Sequence, residues 1–170
     1  MQIYLVRHPP TLNADGLCYG CLEVEVTPQA VAAAAEAVSA QIPGEALGNA
    51  RIFCSPASRC IGLARRIASP HEPTAAEDLM EMNFGQWQGL AWDAVPRDEL
   101  DAWAQDVWHY RPGGGESASM VATRWQRWLG GLQQLDAHSV IAVTHAGVIR
   151  VALGALDACI PFDSVHRLEY

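Results

Sequence analysis

Residues 2–6, QIYLV, form a short apolar run rich in β-formers, and its length and composition predict a buried strand with Arg7 and His8 at its carboxyl end. Thr27 and Pro28 have the character of an N-cap and first helical position ahead of the Ala-rich run Val31 to Ile42, which Pro43-Gly44 stops. Arg51 to Cys54 reads as a second brief strand. Ser55-Pro56 then opens a helix through Arg59 to Ile67, with Ile61, Leu63, Ala64 and Ile67 as its apolar positions. From Leu90 to Gly115 the periodicity breaks: Trp92, Trp103 and Trp108 are interspersed with Pro96 and Pro112, which predicts a partly helical excursion. Ser117 caps a helix from Ala118 to Leu135. SVIAVT, residues 139–144, is the clearest buried strand. It ends in His145-Ala146-Gly147, and a helix follows through Leu156. Val165 to Tyr170 alternates like an edge strand.

Strands alternating with helices predict an α/β fold: a three-layer α/β/α sandwich around a mainly parallel sheet with helices on both faces. In open sheets of this kind ligands bind beyond the carboxyl ends of the strands. Three strand ends would therefore deliver Arg7 with His8, the stretch Ser55 to Arg59, and His145 to one edge. No repeat or linker divides the chain, so residues 1–170 read as a single domain with 90–115 as an insertion within it.

Charge narrows the partners. A formal net charge of -8 argues against nucleic acid, whose binding needs a basic surface. All 11 basic residues are Arg, which grips phosphate at two points, but richness in Ala and Arg follows equally from genomic base composition and carries no functional weight. The apolar run at the start is too short for a signal segment or a membrane span, so a cytoplasmic protein with no membrane partner is expected. Five Cys and no secretory signal predict free thiols. Cys18 and Cys21 form a C-x-x-C that half a zinc site or a redox pair would use, with Cys54 and Cys60 as imaginable complements. However, no second C-x-x-C follows and the motif lies in a turn-like run. The three tryptophans of the excursion either line a pocket or belong to the core, and core is the default.

Four motifs occur in order: LVRH at the first strand end, SPASR at the second, LMEMNFGQWQG in the connection and VTHAG at the last. Together they resemble the histidine phosphatase superfamily, also called phosphoglycerate mutase-like, across nearly the whole chain. The resemblance implies that His8 is the nucleophile, that Arg7, Arg59 and His145 hold the phosphoryl group, and that Glu81 is the proton donor. It implies substrate contacts at Thr11, Tyr19, Gly20 and Gly147, and no metal and no cofactor. Phosphoryl transfer has a loose transition state with charge on the equatorial oxygens, which two guanidiniums and an imidazole can meet. His8 must be neutral to attack, and Arg7 and Arg59 disfavour its protonated form. Glu81 would protonate the leaving alkoxide and later deprotonate water, a double role that calls for a pKa raised toward neutrality, with Met80, Met82 and Phe84 supplying burial.

The sequence departs from the family pattern in places. Where the family commonly has R-H-G-E-T, this chain has Arg7-His8-Pro9-Pro10-Thr11, and proline removes two backbone donors while stiffening the loop. Asn13 stands one place earlier than the usual Asn. The W-E-G motif appears as Trp87-Gln88-Gly89. Leu17-Cys18-Tyr19-Gly20 and Gly114-Gly115-Glu116-Ser117 resemble the branch containing alpha-ribazole phosphatase, which implies an alpha-ribazole 5'-phosphate substrate in cobalamin biosynthesis. A broad sugar or nucleotide phosphatase stays open beside it, as do a mutase-like enzyme and a catalytically reduced phosphate-binding protein. The expected partner is a small phosphate ester, on a monomer or homodimer, with residues 90–115 as the lid that selects it.

Overall fold

The computed structural model describes residues 1–12 and 14–170; Asn13 lies outside the described residues. Five strands form one sheet: β1 (Gln2–Arg7), β2 (Arg51–Cys54), β3 (Thr74–Ala75), β4 (Ser139–Thr144) and β5 (Val165–Glu169), in the order β3-β2-β4-β1-β5. All neighbours are parallel except β5, which runs antiparallel on the edge beside β1. The predicted edge strand is that one. β3 is two exposed residues long, too short for any periodicity to announce it.

Alternation along the central strands sorts the two cores. Ile3, Leu5, Val140 and Ala142 pack with Val121, Trp125 and Leu129 of α5 (Ala118–Leu132) and Val148 and Ile149 of α6 (Ala146–Leu153). Tyr4, Val6, Ile141 and Val143 pack instead with Ala34 and Val38 of α1 (Pro28–Gln41) and Leu63 and Ala64 of α3 (Ser58–Ala68). Helices on both faces of a mainly parallel sheet make the three layers. The Thr27 side chain caps α1 by accepting from the Ala30 N–H, with Pro28 in the first turn. Ser117 caps α5 in the same way through the Met120 N–H.

Local differences from the sequence reading have local causes. Pro43 ends the path of α1 and at once precedes a second short helix, α2 (Gly44–Asn49). α3 begins at Ser58 rather than Ser55, because the Ser55 side chain turns back to accept from the Ala57 N–H. α5 and α6 each stop three residues earlier than their apolar runs. The excursion contains α4 (Arg97–Gln105) and short 3-10 turns, and it shares a small third core with the segments before it: Val95, Trp92 and Trp103 pack with Cys18, Phe84 and Trp87. Trp92 and Trp103 are stacked, 6.1 Å apart and 8° from parallel, whereas Trp108 is exposed. Trp92 and Trp103 thus follow the core reading and Trp108 does not.

Candidate active site

Each functional strand end continues the sheet by one hydrogen bond. The His8 N–H donates to the Thr144 carbonyl at 3.1 Å, and the Ser55 N–H to the Val143 carbonyl at 2.9 Å. Because β2, β4 and β1 are adjacent, this register sets the spacing of Ser55, His145 and His8, and the two histidine rings meet edge to face with centroids 5.2 Å apart. The ladder is rigid, so the imidazoles are placed before any ligand arrives.

His8 is buried, and its Nδ1 lies 2.7 Å from the carbonyl of Pro9. A carbonyl only accepts, so Nδ1 carries the proton and the lone pair is on Nε2. Proline has lost its N–H but keeps its carbonyl, so Pro9 still fixes the tautomer. The pKa of His8 is lowered to about 3, first by burial, against which the Pro9 bond works, and then by Arg59 and Arg7. Burial, more than the arginines, keeps this imidazole neutral.

His145 is fully buried, with Nε2 2.8 Å from the Ser55 hydroxyl and 3.5 Å from the Cys60 sulfur. Burial, then His8 and the arginines, hold its pKa well below the ordinary value. Ser55 opens the SPASR motif, and its role as partner of His145 goes unnoticed in sequence, although its place at a strand end is the signal that marks it.

Arg59 is fully buried on α3. Its Nη1 donates to the Leu22 carbonyl at 2.8 Å and its Nη2 to the Gly20 carbonyl at 2.7 Å, while Tyr19 lies under the guanidinium at 5.2 Å. Arg7 donates through Nη1 to the Ile160 carbonyl and sits 3.7 Å from the Phe162 ring centre. Phe162 also faces His8, at 5.6 Å. No sequence motif marks it, since it approaches from the loop before β5. Among the described residues, Arg7 Nε, Arg59 Nε and His145 Nδ1 are buried polar nitrogens without a hydrogen-bond partner. An unsatisfied buried group costs about 1–3 kcal/mol. The two guanidinium Nε–H groups are donors free for an anionic oxygen, and the His145 Nδ1 becomes one when that ring is protonated.

The Glu81 carboxylate accepts from the Met82 N–H at 2.9 Å and, at the start of α6, from the Gly147 N–H at 3.3 Å. The approach is close enough that a Cβ at position 147 would collide with Oε1, which is why glycine suits that place. The three apolar neighbours are occupied elsewhere: Met82 packs in the sheet core, Phe84 against Trp92 and Trp103, and the Met80 sulfur takes the Ser55 hydroxyl. Gln88, where the family motif has Glu, accepts through Oε1 from the N–H groups of Cys21 and Phe84 and ties two loops together. Thr11 is half-buried.

The cysteines are free, and no group of three or more His, Cys, Asp or Glu gathers as a metal site among the described residues. Burial raises the Cys18 thiol to about 12 and the Cys21 thiol to about 11, so neither is a ready thiolate. The Cys21 Sγ donates instead to the Glu81 carbonyl at 3.0 Å. No described helix is long and apolar enough to cross a membrane.

A family model described as histidine phosphatase superfamily (branch 1) matches residues 3–170. The chain is 24% identical over 163 residues to the Adenosylcobalamin/alpha-ribazole phosphatase of Escherichia coli strain K12, covering 92% of this chain and 79% of that protein. Among solved structures, a phosphoglycerate mutase from Thermus thermophilus superposes with a TM-score of 0.75 at 28% identity, over 100% of this chain and 94% of that one. An alpha-ribazole phosphatase from Shigella flexneri gives 0.82 at 23% identity, over 99% and 90%, a likeness of fold.

Proposed function

The chain belongs to the histidine phosphatase superfamily, and we propose that it is a phosphomonoesterase acting through a phosphohistidine on His8, with alpha-ribazole 5'-phosphate or a similar ester as substrate. The carrying observation is a buried His8 whose Nε2 bears the lone pair, edge to face with His145 at 5.2 Å, its pKa further lowered by Arg59 and Arg7, both of which carry a buried Nε without a partner. The His8 Nε2 attacks phosphorus, the N–P bond forms, and the bond to the ester oxygen breaks. Glu81 gives the departing alkoxide its proton. Water then attacks phosphorus, losing its proton to Glu81 as the N–P bond breaks and inorganic phosphate leaves. The arginines and His145 carry the equatorial charge; the phosphoryl dianion itself favours the protonated imidazole of His145, against the burial that lowers it in the free protein. No metal ion and no cofactor enters this scheme. In this reading Thr11, Tyr19 and Gly20 contact the substrate, Tyr19 and Gly20 being the residues that meet Arg59, and residues 90–115 form the lid over the leaving group.

Rapid quenching with a labelled phosphate ester tests the assignment. Label should appear on His8, stable to base and labile to acid, and not on His145; His8→Ala should abolish labelling and turnover. Label on His145, or turnover by His8→Ala, overturns it.

A further inference from the structure

The Gly114-Gly115-Glu116-Ser117 motif has one end in a helix cap and no part in the chemistry above, yet it grips the segment that carries Glu81. Gly115 lies backbone to backbone against Asn83, where any Cβ would collide with the Asn83 carbonyl. The Glu116 N–H donates to that carbonyl at 2.7 Å, and the Asn83 N–H donates back to Glu116 Oε2 at 2.9 Å. Arg124, buried on α5, closes the arrangement. Its Nε and Nη2 donate to the two Glu116 oxygens at 3.1 and 3.2 Å, and its Nη1 to the Asp78 carbonyl at 2.7 Å. One ion pair thus holds both ends of the stretch Asp78 to Asn83.

We propose that Glu116 and Arg124 are positioning residues for Glu81, a proposal that rests on reading Glu81 as the proton donor. Arg124 is buried and Glu116 half-buried, and an ion pair so far removed from water gives little net stability over an apolar replacement of similar volume, so a pair with this full a hydrogen-bond set is better explained by what it places than by what it stabilises. The placed group is the carboxylate, which reaches the Gly147 N–H only if the stretch keeps its path between β3 and the Phe84 turn. A planar guanidinium spans Glu116 and the Asp78 carbonyl at once, which an ammonium cannot.

The experiment compares kcat/KM for an alkyl phosphate, which needs its leaving group protonated, with that for p-nitrophenyl phosphate, which does not. Glu116→Gln and Arg124→Lys should each lower the alkyl value about 10- to 100-fold, as misplacement of a catalytic group does, with the aryl value changed less than about threefold. In a Glu81→Gln background neither change should cost more, since the group they position is gone. Glu116→Gln keeps volume and an acceptor for Asn83, so it carries the test if Arg124→Lys does not fold. Equal losses on both substrates, no loss, or losses that add to Glu81→Gln would overturn the proposal. If Glu81→Gln itself shows no dependence on leaving group, the proton-donor reading fails instead.

Discussion

His8 carries a cost that its chemistry requires. With its pKa lowered to about 3 in the fold and near 6.5 in the unfolded chain, the unfolded state binds a proton between those values that the folded state refuses. Stability contributed at neutral pH is therefore lost as pH falls below about 6.5. From pH 7 to pH 5 the loss from His8 alone is about 2 kcal/mol, and His145, lowered for the same reason, adds to it in the same direction. Melting curves at the two pH values should show this destabilisation, and His8→Asn, which does not titrate there, should remove about 2 kcal/mol of it. Equal acid sensitivity in both proteins would contradict the burial of a neutral imidazole. At this scale the residue types were legible in sequence, but the dominant cause of the shift was not: neighbouring arginines are visible in RH and SPASR, whereas burial is a property of the packed site.

The element that sequence described least well is the excursion over residues 90–115. Trp92 and Trp103 stack on one another and pack against Trp87 and Cys18, and the Nε1 of Trp87, which precedes the excursion, donates to Glu99 of α4 at 2.7 Å. Such a cluster has neither helical nor strand periodicity, so no window of sequence reveals it. Trp87 is 2% exposed and Trp108 is 41% exposed. Trp87→Ala should cost about 3–5 kcal/mol, as large aromatic truncations in cores do, and Trp108→Ala should stay within about 0.5 kcal/mol, as surface changes do. Thermal melts of the two variants decide whether this insertion is packed onto the Trp87 segment; equal effects would say it is not.

For the whole molecule, the net charge of -8 opposes the approach of polyanions, while the local guanidiniums attract a phosphate that reaches the strand ends. Esters whose leaving group has no charge of its own suffer least from the global field. We therefore expect kcat/KM for alpha-ribazole 5'-phosphate to exceed that for 3-phosphoglycerate, and the phosphoglycerate value to rise with added salt as the repulsion is screened. A panel of phosphate esters assayed at low and high ionic strength checks both, and a preference for phosphoglycerate that weakens with salt would favour a mutase-like reading. The same view explains where ligands go: the central strands all end their ladders at one edge, with His8, Ser55 and His145 one residue beyond the register.

By itself the sequence determined the central strands and the helices capped by Thr27 and Ser117, because each is encoded in residues adjacent along the chain, and its four motifs, through their resemblance to a family, named the candidate set Arg7, His8, Arg59, Glu81 and His145. Only the tertiary structure decided which groups those side chains meet. The partners of His145, Arg7, Arg59 and Glu81 are Ser55, Phe162, the Gly20 and Leu22 carbonyls, and the Gly147 N–H, each far away in sequence. The physical reason is that periodicity reports the face a side chain presents, whereas hydrogen bonds and desolvation depend on which distant segment covers that face.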